Sequence, residues 1–272
     1  ICIMQFLPDQ YLRPFIRHYL FLESTQQPTG ILRLFTDGST GVVFSLRGSL
    51  ATDLSHKTQL PNSFLYGQIS DFQDLYTNSG FSFIIVVFSP LGMKQLTGIP
   101  AYEMKNKITD ANHLFPNISF LTEELFESNN YEKQIQLLDL FFLKTYTTGI
   151  TKDIRIPISL MDILYQGNDF GSISNLVKHS GYSERHIERI FKEHIGISPK
   201  AFSNIIRLHR FLKLLSHPNG SDITLTSLGY AANYFDQSHL IREFKKYTGI
   251  TPKQYMDKTQ KLATNFLNIN KS

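Results

Sequence analysis

The strongest constraint on this chain is a motif written twice. Tyr182-Ser183-Glu184-Arg185-His186-Ile187-Glu188-Arg189-Ile190-Phe191-Lys192 leads into Gly196-Ile197-Ser198-Pro199, and the stretch from Tyr234 to Lys245 leads into Gly249-Ile250-Thr251-Pro252. Phe191 and Phe244, Gly196 and Gly249, and Pro199 and Pro252 are each 53 residues apart. A chain that repeats a short helical unit presents two similar surfaces, which suits a regular partner. Duplex DNA is the obvious candidate.

Around the first copy, Ser172 is placed to cap a helix with Ile173, Leu176 and Val177 facing inward, Gly181 supplies a turn, and Ser183 caps a helix from Glu184 to His194. Ile187, Ile190 and Phe191 form the buried stripe of that second helix, so Arg185, His186, Glu188, Arg189 and Lys192 face outward. Two helices joined by a short glycine turn, the second rich in exposed cations, are the pattern of a helix-turn-helix. A solvated amphipathic helix would look similar if it stood alone. The second copy weighs against that reading. There Thr224 caps Leu225 to Ala232, Asn233 stands in the glycine position, and the helix from Asp236 turns Leu240 and Phe244 inward and Gln237, Ser238, His239 and Arg242 outward. The second turn is one residue longer than the first. Between the copies, Ser198-Pro199 opens a helix to about Leu215, with Phe202, Ile205, Ile206, His209 and Leu212 on one side. At 1.5 Å per residue that strut spans about 25 Å, against roughly 34 Å for one turn of DNA.

Charge follows the same division. Residues 1–150 hold 10 Lys/Arg and 13 Asp/Glu, a net of −3, whereas the remaining 17 and 10 give residues 151–272 a net of +7. One basic half fits a polyanionic partner bound by that half alone. The single cysteine, Cys2, excludes an internal disulfide and a cysteine cluster, and a reducing compartment, the cytoplasm, is the expected location. Ile1-Cys2-Ile3-Met4 has none of the features of a signal peptide, and Phe81–Phe88 is too short an apolar run to span a membrane.

The first 150 residues read as β-rich up to about residue 110. Ile31–Phe35 stops at Asp37-Gly38, Gly41–Leu46 stops at Arg47-Gly48, and Phe81–Phe88 stops at Ser89-Pro90. A β-sandwich or small barrel is expected, with helical spacing at Leu12, Phe15, Ile16 and Tyr19, a helical turn at Leu91–Leu96, and two helices after about residue 116 broken at Asn129-Asn130. Their apolar stripes are expected to pack on the β-domain, with a dimerisation face on the second helix as the alternative. His18, His56 and His113 show no metal-site spacing, and no phosphate loop, nucleophile elbow or carboxylate pair stands out, so no catalytic residue, metal or cofactor is assigned. A barrel of this size has room for one small ligand.

The doubled pattern G-Y-S-x7-F-K-x3-G-I-S-P and D-Q-S-H-x4-F-K-x3-G-I-T-P resembles the DNA-binding domain of the AraC/XylS family of bacterial transcription regulators over about residues 155–258. The resemblance implies seven helices and two helix-turn-helix units entering adjacent major-groove segments. By position it makes Arg185, Glu188 and Arg189 of the first unit and Gln237, Ser238, His239 and Arg242 of the second the base-reading residues, with Ser183, His186, Lys192 and Lys245 on phosphates. Departures from the family pattern are Val177 and Gly229 in the supporting helices and Leu240 after the second histidine. Pro8, Phe88-Ser89-Pro90-Leu91-Gly92 and Leu96-x-Gly98-Ile99-Pro100-Ala101 resemble the sensor domain that accompanies some members.

The expected fold is therefore α+β: a β-sandwich or cupin-like barrel with packed helices over 1–150, a boundary near Thr147–Asp153, and an all-α domain over 151–272. That second domain carries helix-turn-helix units at about 172–194 and 224–247, joined by helix 199–215. The expected function is sequence-specific regulation of transcription on double-stranded DNA, at two adjacent and unequal half-sites. A small-molecule effector, an RNA polymerase contact and a homodimer are compatible partners; a membrane is not. The competing readings are an architectural DNA-binding protein and, from the enzymes, a DNA-repair methyl acceptor, for which Cys2 alone is a poor nucleophile.

Overall fold

The computed structural model describes residues 1–26, 30–55, 57–77, 79–148, 154–166, 173–216, 224–257, 259–263 and 265–270. Most of the linker expected at 147–153, the Ser172 cap and His56 lie outside them.

Eight strands come first: β1 (Cys2–Phe6), β2 (Ile16–Ser24), β3 (Gly30–Phe35), β4 (Thr40–Arg47), β5 (Ser63–Tyr66), β6 (Phe72–Leu75), β7 (Phe81–Phe88) and, after the short helix α1 (Gly92–Thr97), β8 (Ile108–Asp110). Helices α2 (Ile118–Glu127) and α3 (Tyr131–Thr148) follow, broken where Asn129-Asn130 predicts. The helical spacing at Leu12 to Tyr19 yields only a turn, in which Ile16 N donates to Leu12 O at 2.7 Å, before β2 begins at Ile16. Tyr19 therefore lies on a strand. β2 sits between β1 and β7 and is buried on both faces, so its apolar residues carry no clean alternation to distinguish strand from helix.

The same two-sided burial explains why β7 is apolar on both faces from Phe83 to Phe88. Ile84, Val86 and Phe88 face a core shared with α2 and α3, through Leu121, Leu125, Leu138 and Phe142, while Phe81, Phe83 and Val87 face a second sheet. Polar alternation would place a charge in one core or the other.

The C-terminal half contains the seven expected helices: α4 (Arg155–Gln166), α5 (Ile173–Ser180), α6 (Glu184–His194), α7 (Pro199–Ser216), α8 (Leu225–Ala231), α9 (Gln237–Thr248) and α10 (Pro252–Asp257). The chain then forms two further strands, β9 (Thr259–Ala263) and β10 (Phe266–Asn270). These do not stay with the helices. β10 pairs antiparallel with β3, from Phe266 opposite Leu34 to Asn270 opposite Gly30. The two sheets are ordered β1-β2-β7-β4-β5-β8 and β6-β3-β10-β9, so a hairpin from the far end of the sequence completes half of the N-terminal sandwich. The sequence reading, which takes 151–272 as all helical, is corrected at residues 259–270. Short strands that pair with a segment more than two hundred residues away leave no local period to read.

Candidate nucleic-acid interface and ligand cavity

Each helix-turn-helix is built by its caps and its turn. Ser183 accepts from His186 N at the start of α6, and Asp236 accepts from His239 N at 2.6 Å at the start of α9. Thr224 and Ser227 form a reciprocal capping box on α8. Gly181 and Asn233 both take left-handed backbone, with φ of 73° and 66°, as the turn between supporting and reading helix requires. Tyr182 lies 5.0 Å from the His186 ring, and Tyr234 lies 5.5 Å from the His239 ring, so the two units repeat the same aromatic brace. The departures at Gly229 and Leu240 belong together. A Cβ on Gly229 would stand 3.2 Å from Leu240 Cδ2, so glycine lets α8 approach α9 closely.

Ile187, Ile190 and Phe191 of α6 and Leu240 and Phe244 of α9 are buried in one core with Phe202, Leu208 and Phe211 of α7. The opposite faces are open. Arg185, Arg189, Gln237, Ser238, Arg242 and Lys245 are exposed, and Glu188 is half-buried. Several of the expected contacts have other engagements: Gln237 Oε1 accepts from Thr226 Oγ1 at 3.2 Å, and Arg189 Nη1 lies 3.8 Å from Glu193 Oε2. His239 Nε2 lies 3.1 Å from Glu243 Oε2, which is buried and accepts from Arg207 Nη2 of α7 at 2.7 Å. His186 Nδ1 lies 3.3 Å from Arg189 Nη2. Lys192 Nζ sits 5.1 Å above the ring of Tyr102, a residue of the N-terminal domain.

One exposed residue escaped the sequence reading. The extra residue of the second turn is Phe235, immediately before the Asp236 cap, and it is 84% exposed. The one-residue length difference was its only signal in the sequence. The N-terminal end of a reading helix is the end that meets base edges, and phenylalanine packs on the thymine methyl.

Both units are docked on the N-terminal domain. Lys94 of α1, buried, pairs with Glu193 of α6, and its ammonium holds the Glu193 carboxyl below the usual range. Arg33 of β3 is bidentate to Asp74 of β6 at 2.6 and 2.7 Å and donates to Thr248 O, at the C-terminal end of α9, at 3.3 Å. Gly38, at φ 77°, brings the Asp37 turn so close to α7 that a Cβ there would stand 2.9 Å from Phe202 Cε2.

A cavity of about 610 Å³ lies between the two sheets. Leu20, Leu22, Val43, Phe83 and Ile85 make much of its wall, and Leu262 and Phe266 of the hairpin add to it. Arg17, His18, Asp37, Tyr66 and His209 supply polar groups. Arg17 donates to Asp37 at 3.0 Å, and His209, reaching across from α7, donates from Nε2 to Thr36 O at 2.9 Å. Burial, with the Arg17 charge beside it, lowers the His18 pKa to about 4. Burial likewise lowers that of His209. Both imidazoles are thus neutral near pH 7, and the cavity offers one compensated ion pair and neutral hydrogen-bonding groups in an otherwise apolar space. Among the described residues no group of three His, Cys, Asp or Glu could hold a metal, and no helix is long and apolar enough to cross a membrane.

Comparison with known proteins finds similarity in two separate parts of the chain. Residues 176–258 match the family described as "Helix-turn-helix domain", and residues 4–110 match a "Domain of unknown function (DUF6597)". An uncharacterized HTH-type transcriptional regulator of Haemophilus influenzae is 30% identical over 104 residues, 38% of this chain and 34% of that protein. The F1 operon positive regulatory protein of Yersinia pestis is 34% identical over 86 residues, 32% of this chain and 28% of that protein. The matches thus span about a third of those relatives' length. A solved structure of ToxT from Vibrio cholerae is similar over 87% of this chain and 97% of that one, at 13% identity and a TM-score of 0.49. Residues 176–258 thus carry a helix-turn-helix domain of the AraC type.

Proposed function

We propose that this protein regulates transcription by binding double-stranded DNA sequence-specifically, with α6 and α9 entering adjacent major-groove segments and a small apolar molecule in the intersheet cavity controlling it. The observation that carries the DNA-binding part is the pair of capped helix-turn-helix units. Both stand on α7, and both keep their cationic faces exposed in the half of the chain that holds a net charge of +7. In this reading Arg185, Glu188, Arg189, Gln237, Ser238 and Arg242 contact bases, joined by Phe235. Ser183, His186, Lys192 and Lys245 contact phosphates, and His239 is held back by Glu243 to orient the helix. The size of the cavity, its apolar wall and its few convergent polar groups support the effector. Phe120 and Phe126 on α2 and Leu140 on α3, all exposed, support self-association.

Fluorescence anisotropy of the full chain with its own upstream region and with random duplex, at moderate salt, tests the reading. A preference of about a thousandfold, the lower end of the specific range, is expected. Equal affinity for both duplexes would remove the claim of sequence specificity.

A further inference from the structure

The C-terminal hairpin belongs to two cores at once. β9 starts at Thr259, two residues after α10 ends at Asp257, so hairpin and second helix-turn-helix unit are close neighbours in the chain. Along the hairpin, Leu262 and Phe266 face the core between the sheets, whereas the next residue, Leu267, is fully buried in the core of the helical domain, with Ile269 packed against the same core. The hairpin turn is fixed to β3 twice. Phe35 N donates to Asn265 O at 2.9 Å, and Asn265 Nδ2 donates to Phe35 O at 3.2 Å. Lys261 Nζ sits 4.7 Å above the ring of Tyr255 on α10. Leu262, Ala263, Asn265 and Phe266 also line the cavity.

An occupant of the cavity in contact with Leu262 and Phe266 meets those side chains only while β10 is paired with β3. It therefore binds the paired state more tightly than the unpaired one, and by linkage its occupancy strengthens the pairing. We propose that the hairpin is a ligand-gated tether: filling the intersheet cavity secures β10 on β3 and thereby fixes the position of α10 and the second reading helix on the N-terminal domain. This rests on the cavity being the effector site, and it assigns the residues through which that site reaches the DNA-binding half.

The test uses the full chain with 8-anilinonaphthalene-1-sulfonate, an apolar fluorophore with one charged group, as the probe, and hydrogen–deuterium exchange of peptides covering 259–270. With probe at a hundred times its Kd, exchange of the hairpin should slow by roughly tenfold or more, under a linkage ceiling of about a hundredfold. Leu267→Ala, outside the cavity, should weaken probe binding severalfold. The Ile31→Cys/Ile269→Cys pair, opposite each other in the β3–β10 register, should bind the probe more tightly oxidised than reduced in a Cys2→Ser background. It should also change DNA affinity on oxidation, in either direction, by more than about threefold.

Hairpin exchange that ignores saturating probe, or a locked hairpin that leaves both affinities unchanged, overturns the tether while leaving the cavity reading intact. Failure of the cavity reading looks different: the probe does not saturate, or binds Phe83→Ala as it binds the parent, and both ideas then fall.

Discussion

Glu243→Ala is the most informative single substitution. Glu243 is 7% exposed, on the buried side of the second reading helix. Its carboxylate accepts from Arg207 at 2.7 Å and lies 3.1 Å from His239 Nε2. Arg207, whose side chain is 13% exposed, also donates to Asn204 Oδ1 at 3.0 Å and lies 4.9 Å from the Tyr234 ring centre. Removing the carboxylate leaves the guanidinium buried with a neutral amide and an aromatic face as its remaining partners. Breaking a buried pair from one side costs about 3 to 5 kcal/mol, and the surviving contacts of Arg207 place this case near 3. For a chain of this size that corresponds to a melting temperature lower by roughly 6 to 12 °C. Replacing both partners with apolar side chains, as in Arg207→Met/Glu243→Leu, should recover most of the loss, because no buried charge is then left alone. Urea denaturation of Arg207→Met, Glu243→Leu and the double variant gives the coupling energy. A loss below about 1 kcal/mol for Glu243→Ala, the range of an exposed pair, would refute the view of α9 as pinned to α7 by a buried ion pair.

Stability should fall as pH drops from about 6.5 towards about 4. The unfolded chain protonates its histidines near their ordinary value, whereas His18 stays neutral down to about 4 and burial lowers His209, so the unfolded state binds more protons across that window. Urea midpoints measured against pH should show the loss, and His18→Gln with His209→Gln should flatten it; a parent profile already flat there contradicts the assignment. Arg189→Ala or Arg242→Ala should cost about 1 to 3 kcal/mol on a specific site and relax one base position, whereas Lys245→Ala should weaken all duplexes alike and reduce the salt slope by about 1. Equal losses on specific and random DNA for the arginines would rule out base reading. Phe235→Ala should change stability by less than about 0.5 kcal/mol, because the ring is exposed, yet weaken binding to thymine-containing DNA about fourfold, an effect that should vanish where that thymine is replaced by deoxyuridine. Unchanged affinity would return Phe235 to the ordinary exposed surface.

The helical domain was legible because its signals are local. Ser183, Thr224 and Asp236 cap helices within three residues of themselves, Gly181 and Asn233 mark turns by backbone chemistry, and Phe191 and Phe244 carry a period of 3.6. The long runs of β3, β4 and β7 were legible for the same reason. Short strands such as β5, β6 and β8 were not, since three or four residues paired at long range carry no period. The hairpin at 259–270 stayed hidden because its partner β3 lies at the other end of the chain. The outward residues of both reading helices follow from the inward ones. What His239, His186 and Lys192 touch within the chain depends on Glu243, Arg189 and Tyr102, and only the tertiary structure brings Tyr102 to Lys192. The cavity was legible only as room inside a barrel. Its polar groups meet because a turn at Asp37, a strand at Arg17 and a helix at His209 converge from three parts of the sequence.

Selection of bound sequences from a random duplex pool by the full chain tests the central claim most directly. The account predicts two adjacent recognition elements on one face of the DNA, with centres about 10 to 10.5 base pairs apart and with different sequences, because α6 presents Arg185, Glu188 and Arg189 whereas α9 presents Gln237, Ser238 and Arg242. Recovery of a single element, of a palindrome with identical halves, or of no enriched sequence at all would contradict it.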